Sequence, residues 1–310
     1  MVYIGIDLGG TKIAAGVVDE NGKILYKCDA PTGATRPWQE VTKDMAQVSL
    51  AALSGAGLGL DDVKAVGMGV PGIAVKGVIP FCTNLGWHNI PMEKAFRQYI
   101  DKPLFIDNDA TVAGLAESVS GVSAGVADSV FLTLGTGVGA GIIIGGKVYS
   151  GFHGVGGELG HMIFMADGEL CTCGKRGCWE RYASATALIR MGKEAYAQDP
   201  DSLIGKLCGG DAEKITAKVI VDAAKAEDKT ALAVFHRYVH YLALGINSII
   251  SFIDPEVVVL GGGVSAAGAF LLDAVRDALP KYLFYKTLPY ARIELATLGN
   301  DAGIIGAAML

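Results

Sequence analysis

Three arrangements of side chains in this sequence can do chemistry. The first is a cluster of soft ligands: His161, Cys171, Cys173 and Cys178 read H-x9-C-x-C-x4-C within 18 residues. Thiolates and an imidazole at such spacing suit a closed tetrahedral Zn2+ site, and Gly174 and Gly177 permit the tight loop it needs. One residue separates Cys171 from Cys173, so the pair is not a C-x-x-C dithiol, and a disulfide would leave one thiol over. His153 competes with His161 for the fourth position. The second arrangement is Asp107, Asn108 and Asp109, three polar residues ending the apolar run "PLFID" and passing into "ATVAGLAE". An Asp there can cap a helix. A carboxylate at the carboxyl end of a buried strand can equally take the proton of a hydroxyl attacking a phosphoryl group. The third is a set of glycine loops after apolar strands: "DLGGTK" (7–12), "LGTGVGAG" (134–141) and "LGGGVS" (260–265). Gly9, Gly10, Gly135, Gly137, Gly261, Gly262 and Gly263 let backbone N–H groups approach an anion. Thr11 and Thr136 add hydroxyls, Lys12 a charge, and Asp7 a carboxylate suited to hydrated Mg2+. Any one loop is also explained as a tight turn; three together point to a nucleotide.

These residues need elements to carry them. The first 30 residues read as three strands, "VYIGID", "IAAGVVD" and "ILYKCDA", with Asn21-Gly22 predicting a type I′ turn before the third. A helix follows over about 38–56, then the strand "VKAVGMGV", an irregular Gly/Pro-rich segment at 71–92 and a short helix near 93–99. The strand "PLFID" leads into a helix from "NDATVAGLAE". At about residue 129 the order strand, glycine turn, strand, turn, strand begins again. Helices at 184–198, 216–226 and 229–250, the strand "EVVVLG", a helix from about 264, "ARIELATLG" and a small-residue helical tail complete the chain. Two similar αβ openings predict duplicated lobes with mixed sheets and a cleft between them.

Composition excludes several classes. Half the residues are apolar and 19% are charged, so the chain is globular, and a net charge of −6 disfavours nucleic acid as a partner. No secretory signal is visible, and "SVFLTLGTGVGAGIIIGG" carries too many glycines for a membrane helix; a cytoplasmic protein is expected. Six cysteines are too few for a disulfide scaffold, and Cys28, Cys82 and Cys208 read as small buried hydrophobes. "GIIIGGKV" (141–148) mimics a P-loop but lacks the Ser/Thr and sits at a hairpin. "GMGVPG" (67–72) fits GxGxxG, yet a strand-like segment comes after it in place of a helix. Asn84 and Trp87 in "TNLGWHNIP", and Glu158 with His161 in "GGELGH", are polar groups in turn-rich settings that suit a small polar ligand.

Taken together, "IGIDLGGTKIAAGVVD", "GMGVPG", "TNLGW", "IDNDATVAGLAE", "LGTGVGAGIIIGGKVYSG", "GVGGELGHM", "CTCGKRGCWE" and "LGGGVS" resemble the ROK family of sugar kinases and repressors. The likeness spans essentially the whole chain and is greatest to the family's bacterial glucokinases. It implies an actin-like (ribonuclease H-like, hexokinase-type) α/β fold: a small lobe at 1–118, joined by a returning helix at about 300–310, and a large lobe at 119–299. It implies ATP-dependent phosphorylation of glucose at the 6-hydroxyl with Asp109 as general base. Sugar hydroxyls would be held by Gly72, Asn84, Asn108, Asp109, Glu158, His161 and Glu180. ATP and Mg2+ would lie on "DLGGTK" and "LGTGVG", with "LGGGVS" near the adenosine. The family's zinc ligands fall on His161, Cys171, Cys173 and Cys178, which favours His161 over His153.

The resemblance leaves open kinases for N-acetylmannosamine, N-acetylglucosamine, allose or fructose, and implies a homodimer or homotetramer. Family fructokinases carry a second histidine within the cysteine cluster, which this chain lacks. Polyphosphate-using relatives tend to lack the cluster itself, so ATP is the expected donor. The family's repressors place a DNA-binding segment ahead of the first glycine loop, and here six residues precede Asp7.

Overall fold

The computed structural model describes all 310 residues. Its strands are β1 (Val2–Leu8), β2 (Lys12–Val18), β3 (Ile24–Pro31), β4 (Val63–Val70), β5 (Ile73–Val75), β6 (Val78–Cys82), β7 (Trp87–Ile90), β8 (Leu104–Asn108), β9 (Ser129–Leu134), β10 (Val138–Ile144), β11 (Lys147–Val148), β12 (Val257–Gly261) and β13 (Arg292–Leu295). Its helices are α1 (Trp38–Gly55), α2 (Met92–Phe96), α3 (Asp109–Ser120), α4 (Glu180–Ala183), α5 (Ala185–Gln198), α6 (Leu203–Leu207), α7 (Ala217–Lys225), α8 (Lys229–Ile253), α9 (Ala269–Ala278) and α10 (Ala302–Ala308). Two five-stranded sheets share one plan, β3-β2-β1-β4-β8 and β11-β10-β9-β12-β13. In the first, β1 pairs antiparallel with β2 and parallel with β4, and β4 pairs parallel with β8. Both sheets are thus mixed and built in the same order, as the repeated opening predicts.

The chain separates into two compact units: residues 1–131, 141–157 and 297–310, and residues 132–140 and 158–296. The division passes through β9 and β10, and the lobe boundary expected at 118/119 falls inside the first unit. In that unit, β1 is apolar along nearly its whole length because both faces of the sheet are covered. The amphipathic α1 packs on β1, β2 and β3, burying Val41, Met45, Ala52 and Leu53. α10 packs on β1, β4 and α3.

The approach of α10 depends on glycines. Gly16, Gly5 and Gly67 stand side by side across β2, β1 and β4. A Cβ on Gly5 would lie 1.9 Å from Ile304 O, and one on Gly67 would lie 1.7 Å from Ala307 O. The helix reciprocates with Gly306, whose Cβ would meet Val112 O on α3 at 1.8 Å. Three backbones therefore meet where side chains would ordinarily separate them. Glu117, fully buried on α3, secures the lead-in to α10: Thr297 N, Leu298 N and Thr297 Oγ1 donate to its carboxylate at 2.8, 2.9 and 3.1 Å. Val122 N donates to it at 2.9 Å, so every lone-pair direction is used.

In the second unit α8 is the spine, with α4, α5, α7 and α9 against it. Side chains of Ser184, Thr216 and Asp228 cap α5, α7 and α8. No helix in the chain is long and apolar enough to cross a membrane.

Two local expectations change. The Asn21-Gly22 turn is not type I′, since only Gly22 has positive φ. The connection runs from Asp19 to Lys23, with Asp19 Oδ1 accepting from Asn21 N and Lys23 N at 2.9 Å each. This Asp-centred turn with a left-handed glycine competes successfully with the two-residue hairpin. The segment 71–92 is not irregular: β5, β6 and β7 form an antiparallel three-stranded sheet within it. Its strands are too short for a period-2 pattern to emerge.

Replacing Gly67 with Ala should lower unfolding free energy by at least about 2–3 kcal/mol, since overpacking against backbone cannot relax by rotamer change. Gly59→Ala, whose Cβ meets nothing closer than Asp62 Oδ2 at 3.9 Å, should shift it by less than about 0.5 kcal/mol. Urea denaturation of both variants measures the difference.

Candidate active site

In the first unit β1, β4 and β8 end together, with Asp7, Gly69 and Asp107 in register across the three parallel strands. Carboxyl ends of parallel strands are where ligands meet α/β sheets. Burial holds the Asp7 carboxyl above the usual carboxylate range, and the Lys12 ammonium opposes the shift. Asp107 is raised for the same reason, against an N–H from Asn108 at 2.7 Å and the Ser150 hydroxyl at 3.3 Å.

The choice between capping and chemistry at 107–109 resolves residue by residue. Asn108 is the cap: its Oδ1 accepts from Ala110 N at 2.9 Å and Thr111 N at 3.4 Å. Its Nδ2 donates to Gly72 O at 3.2 Å, joining the start of α3 to the turn after β4. Asp109 is the first residue of α3, exposed, with Ala110 N donating to its Oδ1 at 2.8 Å. Its carboxylate lies at the positive end of the helix. Asn84 is exposed on the short turn between β6 and β7, where Gly86 takes the left-handed conformation.

The first glycine loop is a β1–β2 hairpin turn closed by Gly9 N to Lys12 O at 2.9 Å. Thr32, fully buried, fastens both sides: its Oγ1 donates to Gly9 O at 2.7 Å and its N–H to Thr11 O at 3.0 Å. Gly10, Thr11 and Lys12 remain at the surface. The turn reading holds, and the turn leaves Thr11 and Lys12 exposed.

In the second unit the loop at 134–138 is pinned by the start of α5, through Ala185 N to Gly135 O at 2.8 Å and Thr186 Oγ1 to Thr136 O at 2.7 Å. Gly137 lies against Glu180, whose Oε2 a Cβ there would meet at 2.4 Å. Gly262, at φ +80°, presses on Leu134, whose N a Cβ would meet at 2.5 Å. The "LGGG" loop leads into a short 3-10 turn, Gly263–Ala267; Gly268, at φ +69°, separates it from α9. The helix expected from about 264 therefore begins at Ala269, because Gly268 separates it from the 3-10 turn.

The soft-ligand cluster forms as one group. One ligand atom from each of His161, Cys171, Cys173 and Cys178 lies within 4.8 Å of the others. Cys173 and Cys178 Sγ are 3.5 Å apart, and Cys171 Sγ is 3.6 Å from His161 Nδ1. His153 is elsewhere, stacked edge-on against the exposed Phe152. Gly174 and Gly177, at φ +85° and +78°, make the turns. Trp179 anchors the cluster: fully buried, it donates from Nε1 to Tyr241 O on α8 at 3.0 Å and fills the space left by Gly245. Three thiols and an imidazole at tetrahedral-scale spacing fit Zn2+. Burial, then the Glu180 carboxylate at 3.0 Å, push the Cys171 thiol up to about 12; a bound cation reverses this by holding the thiolate. Glu180 Oε1 also lies 3.7 Å from His161 Nδ1. Two residues with proposed ligand-binding roles thus share the cluster's edge. Glu158 is exposed just before the 3-10 turn that carries His161.

Comparison with known proteins bears on these features together. The ROK family model matches residues 3–310. The chain belongs to the ROK family. A glucokinase of Thermotoga maritima is 37% identical over 310 residues, covering 99% of this chain and 96% of that protein. A ROK glucokinase of Streptomyces griseus, solved with glucose and AMPPNP, superposes with TM-score 0.83 at 36% identity, covering 100% of this chain and 98% of that one. The ROK hexokinase of Thermus thermophilus gives TM-score 0.85 at 34% identity, covering 100% and 97%. The actin-like α/β fold expected from sequence is therefore the fold of this ROK protein. Repressors of the family are more distant, the xylose repressor of Bacillus subtilis being 27% identical.

Sequence reasoning passed over Thr32, Glu117, Trp179 and Ser150, whose hydroxyl meets Asp107. Each acts on a partner far away in the chain, which no local pattern records. For this ROK cluster, Cys173→Ser should lower bound zinc and sugar affinity together. Metal content by plasma emission and glucose titration by calorimetry read the two quantities; unchanged sugar affinity in zinc-free protein would refute the coupling.

Proposed function

We propose that this chain phosphorylates glucose with ATP, giving glucose 6-phosphate and ADP. The observation that carries the reading is full-length identity of 35–37% to glucokinases, together with 36% identity to a glucokinase structure solved with glucose and AMPPNP. The residues supply a consistent chemistry. Phosphoryl transfer asks mainly for alignment and charge neutralisation. Asp109, exposed and fixed at the start of α3 by the Asn108 cap, takes the proton of the 6-hydroxyl. That oxygen bonds to the γ-phosphorus as the bond to the β–γ bridging oxygen breaks. Asn84, Asn108, Gly72, Glu158, His161 and Glu180 orient the sugar. Gly9, Gly10, Thr11 and Lys12, with Gly135, Thr136 and Gly137, hold the phosphates; Gly261, Gly262 and Gly263 lie by the nucleoside.

Mg2+ on the nucleotide would neutralise phosphate charge, with Asp7 as the carboxylate for its water shell. Zinc in the Cys3His cluster would be structural, and the chain's own part is to present His161 and Glu180 from one rigid loop. A ligating histidine gives its other ring N–H to an acceptor; a sugar hydroxyl is the acceptor assigned here.

The enzyme is taken as cytoplasmic and as a homodimer or homotetramer. The exposed apolar side chains Phe252, Phe284, Tyr285 and Leu288 of the second unit support self-association. A second reading, a kinase for another hexose or an N-acetylhexosamine, keeps the same residues and changes only the sugar. One coupled assay with ATP against a panel of these sugars separates the two. Asp109→Asn should reduce turnover by far more than tenfold while leaving glucose binding within about threefold, since the amide keeps the shape but cannot take the proton. A fall smaller than tenfold removes Asp109 as the base.

A further inference from the structure

The turn that carries Gly72 and the hairpin that carries Asn84 meet on a side chain with no role so far. Cys82 ends β6, is fully buried, and pairs across the hairpin with Trp87, so the turn at 83–86 closes directly beside it. Its Sγ–H donates to Pro71 O at 3.3 Å. The backbone N–H groups of Leu85 and Asn84, in the turn that follows, favour its charged form. Gly72 lies against the same residue, since a Cβ there would be 2.9 Å from both Cα and Cβ of Cys82. Gly72 O then accepts from Asn108 Nδ2, one residue from Asp109. Sulfur is large and soft, and a thiol both donates and accepts weakly. Here it donates to one loop, and its own residue leads directly into the other.

We propose that Cys82 is a positioning residue for the sugar, its thiol fixing the Pro71-Gly72 turn and the Asn84 hairpin in one geometry beside Asp109. The proposal rests on the sugar-kinase reading above. Burial pushes the thiol up to about 11, against the N–H groups of Leu85 and Asn84 and with the nearby Asp109 charge. At neutral pH the group therefore stays S–H and keeps its bond to Pro71. A thiolate would lose that bond and set a second negative charge near the base. A plain buried hydrophobe at this position would need only volume, and that difference can be measured.

The test is steady-state kinetics on the full chain, varying glucose and ATP separately, for wild type, Cys82→Ala, Cys82→Val and Cys82→Ser. Ala and Val should worsen kcat/KM for glucose about tenfold, the scale of one lost hydrogen bond, with the ATP KM within about twofold. Ser keeps a donor and should recover glucose kcat/KM to within about threefold of wild type. Thermal melting identifies any variant that fails to fold; if Ala does, Val, which fills the volume without a donor, carries the comparison with Ser. Glucose kinetics of Val within twofold of wild type overturn the proposal, as does Ser no better than Val, or an ATP KM that rises as much as the sugar term. Wild-type protein inactive on every sugar overturns the kinase reading instead, before any variant is compared.

Discussion

Backbone-to-backbone contact sets the depth at which everything in the first unit sits. Gly5 and Gly67 on the sheet and Gly306 on α10 allow main chains to touch where a single methyl group would hold them apart. Dispersion falls steeply with separation, so close approach multiplies small attractions and leaves little slack. α3 rests on that assembly through Val112 and is tied to it by Glu117. Asp109 is the first residue of α3, so its place follows from packing at the helix's far side. The carboxylate proposed above as the base is thus positioned by glycines elsewhere in the unit.

The second unit orders its irregular part by another route. The segment from 158 to 180 has little regular structure, and several of its apolar side chains, Ile163, Met165 and Leu170, are exposed rather than packed in a core. Four soft ligands gathered within 4.8 Å and one buried tryptophan replace the missing core. A metal clip of this kind contributes binding free energy directly to local folding. Because Cys171 meets Glu180 and Glu180 lies against Gly137, the order the clip imposes extends to the glycine loop at 134–138.

Much of the fold and of the candidate site is legible in the amino-acid sequence. Apolar runs bounded by glycine mark nearly every strand of the two large sheets, and the repetition of that opening indicates their shared order. The cysteine spacing identifies the metal cluster, though choosing His161 over His153 needs either a family likeness or the folded chain. Other features are hidden for identifiable reasons. Asn21-Gly22 marks the β2–β3 hairpin that forms, but its turn is not type I′, because Asp19 offers its carboxylate to two backbone N–H groups and sets the local geometry. The strands at 73–90 are stabilised by pairing with each other, which is tertiary information. Glycine reads as an anion-binding residue in the loops, yet Gly5, Gly16 and Gly67 serve packing alone, and nothing in their neighbours separates the two uses.

The position of α10 also has a consequence for how the chain is made. Residues 297–310 belong to the first unit, but they leave the ribosome after all of the second. Until then the face of β1 and β4 that α10 covers has no partner, and the Glu117 carboxylate lacks three of its donors. Domains ordinarily fold in the order of synthesis. Here the unit that starts first is completed last, so the nascent protein carries an open sheet face through most of its translation. The second unit, with its Cys3His cluster, can be finished while the other waits.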